Sequence, residues 1–124
     1  MIKIQEIAFT CYPMTDMARA REFYEGVLGL TPTTIHGGAD GTNAWTEYEI
    51  AGGAFSIGKA DGWNPTPEGA SVGFEIEDFD AAIQHLRDAG VPFKMEPFPT
   101  PVCRMAFVLD PDGSAVCIHQ RHAS

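Results

Sequence analysis

MTDMARAREFYEGVLGL (residues 14–30) recurs in diverged form as IEDFDAAIQHLRDAGV (residues 76–91). Asp16 matches Asp78, Met17 matches Phe79, Ala20 matches Ala82 and Tyr24 matches Leu86, an offset of 62 positions (78 − 16) in a chain of 124. A repeat this long, made only twice, is unlike a solenoid, whose units are shorter and more numerous; it marks two copies of one supersecondary unit. Function is expected where the two halves meet.

Each copy is a helix with its own start and stop signals. Asp16 precedes apolar positions 17, 20, 24, 27 and 28, an N-cap followed by one helical face, and Gly29 ends it. Asp78 does the same for Phe79, Ala82, Ile83, Leu86 and Ala89, stopped by Gly90 and Pro92. Strands are expected before each helix, over 4–12 and 70–76. Further strands are expected after each, over 31–36, 44–50 and 53–58, then 92–95, 103–109 and 114–119. The unit is β-α-β-β-β, made twice. One domain (1–124) is expected, with module one at 1–60, a Pro- and Gly-rich connector at 61–69 (DGWNPTPEG) and module two at 70–122. EPFPTP (96–101) and GGADG (37–41) read as irregular loops.

Charge and cysteine content limit the function classes. A formal charge of −9 disfavours nucleic acid and anionic membrane as partners, and leaves a cationic small ligand open. No apolar run approaches the ~18 residues of a membrane span, and the start resembles no secretory signal, so a cytoplasmic location is expected. Cys11, Cys103 and Cys117 are odd in number and widely spaced, which reads as reduced thiols rather than a disulfide framework or a metal knuckle. Neither GxGxxG nor a Walker pattern occurs, so no phosphate-cradling loop is expected.

Strand alternation separates a helix-facing set from a second face. In the fifth strand Val72, Phe74 and Ile76 alternate with Ser71, Gly73 and Glu75. In the last strand Val116 and Ile118 alternate with Ala115, Cys117 and His119. In the fourth Phe55 and Ile57 alternate with Ala54, Ser56 and Gly58. The second faces are small and polar, which leaves room to orient a ligand. In the first strand Phe9, Cys11 and Pro13 form one set, with Phe9 either a cleft wall or core.

The chain resembles the vicinal oxygen chelate superfamily of glyoxalase I, extradiol dioxygenases, fosfomycin resistance enzymes and bleomycin resistance proteins. The resemblance rests on YPMTDMARAREFYEGVLGL, its second copy IEDFDAAIQHLRDAG and the hairpin DPDGSAVCIHQ (110–120). It implies an α+β fold in which two β-α-β-β-β modules form an open U-shaped barrel with a concave ligand site, in a homodimer. Metal-dependent members place His or Glu on four strands. Here those positions fall on Phe9, Ser56, Ser71 and Cys117, so neither a metal nor any other cofactor is expected.

Phe9, Cys11, Trp45, Glu47, Glu49, Ser56, Ser71, Glu75, Arg104, Cys117 and His119 are the expected cleft residues. Glu47, Glu49 and Glu75, with Trp45 as a stacking wall, would suit an ammonium or guanidinium group; the alternative turns Trp45, Glu47 and Glu49 to solvent or a dimer contact. Cys117 and His119 share a strand face and are the weak candidates for catalysis. Trp63 is either a lid or a subunit contact, and His36, His85 and His122 read as surface groups. The expected function is metal-independent binding of a small cationic or aromatic organic molecule. The alternatives are a lyase, isomerase or dioxygenase using non-standard residues, and a non-catalytic interaction or regulatory module.

Overall fold

The computed structural model describes residues 2–3, 5–37 and 44–122; apart from Gly37, the expected GGADG loop lies outside the described residues. The chain divides into two compact units, Met1–Asn64 and Pro65–Ser124. In the first, β1 (Thr10–Pro13) leads to α1 (Met17–Arg21), which continues as a π-helix (Glu22–Val27). Then follow β2 (Thr34–His36), β3 (Ala44–Ile50) and β4 (Gly53–Lys59). The second holds β5 (Val72–Glu75), α2 (Phe79–Asp88), β6 (Phe93–Pro99), β7 (Cys103–Leu109) and β8 (Ala115–Arg121). Each is a β-α-β-β-β module. Among the described residues, no helix is long and apolar enough to cross a membrane.

The two sheets have equivalent strand orders, β1-β4-β3-β2 and β5-β8-β7-β6. In each, the first strand runs parallel to the last and the remaining pairs are antiparallel. The offset of 62 seen at the helices returns at the first strands (72 − 10) and the last (115 − 53). Duplication thus extends through the strands that carry the open faces.

Both helix starts follow from their aspartates. Asp16 and Asp78 hold extended backbone, and their Oδ1 atoms accept from the amides of Arg19 and Ala81, each at 3.1 Å, satisfying donors that a helix leaves unpaired. The first helix departs from the expected regular α form. Leu28 N donates to Phe23 O at 3.0 Å, a five-residue span, in the wider turn that holds Gly26 and brings Phe23 and Tyr24 inward together. Gly29 (φ 80°) and Gly90 (φ 74°) then supply the left-handed backbone that ends each helix.

Each module packs its helix on one sheet face. In the first, Tyr12, Tyr24 and Tyr48 surround Phe55, with ring centroids 5.1–6.2 Å from it. Tyr48 Oη donates to Glu25 Oε2 at 2.8 Å, and Arg21 Nε pairs with the same carboxylate oxygen at 2.6 Å, so the buried phenol has a partner. In the second, Phe79, Ile83 and Leu86 of α2 are buried, as are Val108, Val116 and Ile118 of the sheet.

Two strands differ from expectation. β1 begins at Thr10, not near residue 4. Its partner β4 starts at Gly53, just past the Ala51-Gly52 turn, so the described residues before Ala8 have no partner on β4; Ile4, the expected start of the strand, lies outside the described residues. The stretch 96–101, expected to be irregular, lies mostly within β6. Pro97 and Pro99 are tolerated because β6 is an edge strand, and two register shifts absorb the misfit.

Candidate functional site

Cross-strand register settles which side chains share the face opposite each helix. In module one, Cys11 stands beside Ser56, Ser56 beside Glu47 and Glu47 beside Thr34. The adjacent row is Pro13, Gly58, Trp45 and His36. Tyr12, Phe55 and Tyr48 occupy the opposite parity, where they meet Tyr24. Trp45, Glu47 and Glu49 therefore lie on the open face with Cys11 and Ser56.

Aromatic groups gather at one end of this face. Phe9, half exposed, meets the Trp45 ring edge-on at 5.3 Å. Trp63 lies over Gly58, where an added Cβ would stand 2.9 Å from Trp63 Cζ3 and 3.1 Å from Trp45 Cε3. Glycine at 58 makes room for both indoles.

The polar part of the same face is desolvated around Ser56, while Glu47 is half-buried and Glu49 exposed. Ser56 is fully buried, and its Oγ has no hydrogen-bond partner. Burial, and secondarily the Glu47 charge, push the Cys11 thiol up to about 12. That shift is opposite to what a thiolate nucleophile or metal ligand requires.

In module two the open face carries Gly73, Cys117, Phe107 and Met95 in one row, and Glu75, His119, Met105 and Phe98 in the next. His119 Nδ1 lies 2.6 Å from Glu75 Oε1, and Arg121 N donates to Glu75 Oε2 at 2.8 Å. The Arg121 amide, then His119, hold the Glu75 carboxyl below its ordinary range. His119 is thus oriented by Glu75 rather than engaged with Cys117. The Cys117 thiol is raised by burial and then by Cys103, which does not suit a nucleophile.

One expected cleft residue is elsewhere. Arg104 lies on the helix side of β7, where its guanidinium pairs with Asp80 and covers the Phe79 ring at 4.5 Å. β7 alternates strictly against β8, so Arg104 shares a face with Gln120, whose Oε1 accepts from Phe79 N at 3.2 Å.

Ser71 borders a hollow of about 230 Å3 within the second unit (Pro65–Ser124), bounded also by Pro67, Gly69, Lys94, Met95, Phe107 and Ala115. Lys94, Met95 and Phe107 were not anticipated as site residues. Phe107 was legible by pairing β7 parity with Cys117; Lys94 and Met95 depend on a register shift that strand periodicity cannot reveal.

Metal-dependent members of the superfamily that the chain resembles hold a divalent ion, and the residues here do not fit one. Phe9 cannot coordinate, the two serines are poor neutral donors, and Cys117 favours its protonated form. Among the described residues, no three His, Cys, Asp or Glu side chains are grouped to hold an ion.

No curated protein matches the chain significantly. Solved structures do. SMU.1112c is 20% identical with a TM-score of 0.77, covering 94% of this chain and 99% of that one. TnmS3, an antibiotic binding protein from Streptomyces sp. CB03234, is 25% identical with a TM-score of 0.73, covering 98% and 100%. A glyoxalase/bleomycin resistance protein from the same organism is 26% identical with a TM-score of 0.71, covering 93% and 100%. The family model for the glyoxalase/bleomycin resistance protein/dioxygenase superfamily matches residues 4–118. With that match across nearly the whole sequence, and the fold shared with these structures, the chain belongs to the glyoxalase/bleomycin resistance protein/dioxygenase superfamily.

Proposed function

We propose that this protein binds a small aromatic organic molecule on the open faces of its sheets, without a metal ion and without turnover. What carries this reading is the donor set: the superfamily scaffold is retained while Phe9, Ser56, Ser71 and Cys117 stand at the positions that the resemblance assigns to chelating side chains. Aromatic and thioether surface takes their place, with Phe9, Trp45 and Trp63 in one module and Met95, Met105 and Phe107 in the other. The likeness to an antibiotic binding protein at 25% identity supports the same reading. A cytoplasmic homodimer is part of it.

A thermal-shift screen of aromatic antibiotics, amines and acids, with and without chelator, tests the proposal, because a ligand that binds the folded state raises its stability by mass action. Stabilisation by an organic compound that survives chelation is expected. One tightly held divalent ion per purified chain, with stabilisation only in its presence, would overturn it.

The Glu75–His119 contact favours a second reading, acid–base chemistry by an imidazole that a carboxylate orients. Conversion of a compound found in the screen, abolished by His119→Gln, would select it.

A further inference from the structure

β6 carries two register shifts, and the first falls between Phe93 and Met95. In an unbroken strand these two side chains would share a face. Here Phe93 pairs with Val108, while Met95 pairs with Phe107, leaving Lys94 as the extra residue. Phe93 is thereby turned to the helix side, where Arg87 covers its ring at 4.5 Å, and Met95 is turned to the open side. Bulges of this kind re-aim side chains.

Lys94 uses the position to reach the connector. Its Nζ donates to the Pro67 carbonyl at 2.7 Å, and both residues border the 230 Å3 hollow. An ammonium has three donors, so two are left for a ligand. Among the described residues that line the hollow, Lys94 is the one charged group and no carboxylate joins it, although the chain has 17 acidic residues and a net charge of −9. Met95, Phe107, Pro67 and Ala115 supply apolar walls, and Ser71 adds a hydroxyl. The volume is below the ~300–1,000 Å3 typical of drug-sized sites, which suits one or two rings.

We propose that the module-two hollow binds an aromatic acid, its rings against Met95 and Phe107 and its anionic group on the Lys94 ammonium and the Ser71 hydroxyl. This rests on the reading that the protein holds small organic molecules, and it replaces the expected cationic ligand at this site with an anionic one. The acidic chain as a whole repels anions, so a preference for them here has a local source.

The test compares 2-naphthoate, 2-naphthamide and 2-naphthylmethylammonium, which share a ring system and differ in charge. Titration of the full chain is followed by calorimetry and by the NMR signal of the Met95 ε-methyl group. The acid should bind about three- to tenfold more tightly than the amide, as expected of a charge-assisted contact near the surface, and the ammonium most weakly. Lys94→Met should weaken the acid more than the amide, so that the acid's advantage over the amide is lost; Phe107→Ala should weaken all three. Equal affinity for acid and ammonium, an unmoved Met95 methyl signal, or a Lys94→Met variant that keeps the acid's advantage would overturn the inference. If it fails while other organic compounds stabilise the protein in the thermal-shift screen, the broader reading stands; if none does, both fall.

Discussion

Trp63 packs over Gly58 so closely that a methyl group at position 58 would come within 2.9 Å of the indole Cζ3. Trp63 is thereby held against β4 of the first unit, beside Trp45. Gly58→Val should displace Trp63, shift tryptophan emission to the red and cost about 1–3 kcal/mol by overpacking. Gly73→Ala is the control, since its added Cβ meets Cys117 Cβ at an ordinary 3.8 Å. An unchanged emission spectrum in Gly58→Val would refute the packing.

Ser56 presents the opposite case, a polar atom with nothing to bond. Its hydroxyl is buried and unpartnered on the open face of module one. Ser56→Ala removes that atom while keeping the small volume. Stability in urea should rise by about 1–2 kcal/mol, the desolvation cost of an unsatisfied group. A loss of similar size would mean that the hydroxyl has a partner in solution.

Glu75 links folding to pH. Its carboxyl lies below the ordinary glutamate value of 4.5 because the Arg121 amide and His119 favour the charged form. A group depressed in the folded state contributes stability above its unfolded pKa, and that contribution disappears as pH falls through the folded pKa. Wild type should therefore exceed Glu75→Gln in stability at neutral pH, and the gap should close below about pH 4.5, where the unfolded-state carboxyl also protonates. Denaturation curves across pH 2–7 measure it. A gap that persists undiminished at the acid end would rule out this account.

Thiol reactivity separates burial from charge. With Cys11 pushed up to about 12 and Cys117 also raised, native protein at pH 8 should react with iodoacetamide at both sites at least about tenfold more slowly than unfolded protein. Glu47→Gln should speed Cys11 less than unfolding does, because burial is the larger cause of its shift. Rapid native labelling of either thiol would contradict the burial seen here and reopen a nucleophilic role.

Much of the fold was legible because its signals are local. Asp16 and Asp78 announce their helices through bonds that reach only three residues onward, and the two-residue period of 72–76 and 115–119 divides each strand into faces without reference to any partner. Those faces set Gly73 and Glu75 apart from Val72 and Phe74, and Cys117 and His119 apart from Val116 and Ile118. The side taken by Arg104 follows from its pairing with Gln120 on β8, a register that its own strand does not reveal. The π-turn over Glu22–Val27, which buries Phe23 and Tyr24 together, has no signal in the apolar periodicity of 17–28.

The amino-acid sequence alone determined the duplication, the caps and the strand faces, all of which depend on residue identity and short-range periodicity. Tertiary structure decided that Trp63 lies on Gly58, that His119 is held by Glu75, and that a bulge turns Lys94 toward an apolar hollow. The physical reason is register: a one-residue shift between strands reverses which side chains share a face. That shift is selected by hydrogen bonds and packing summed over residues distant in sequence.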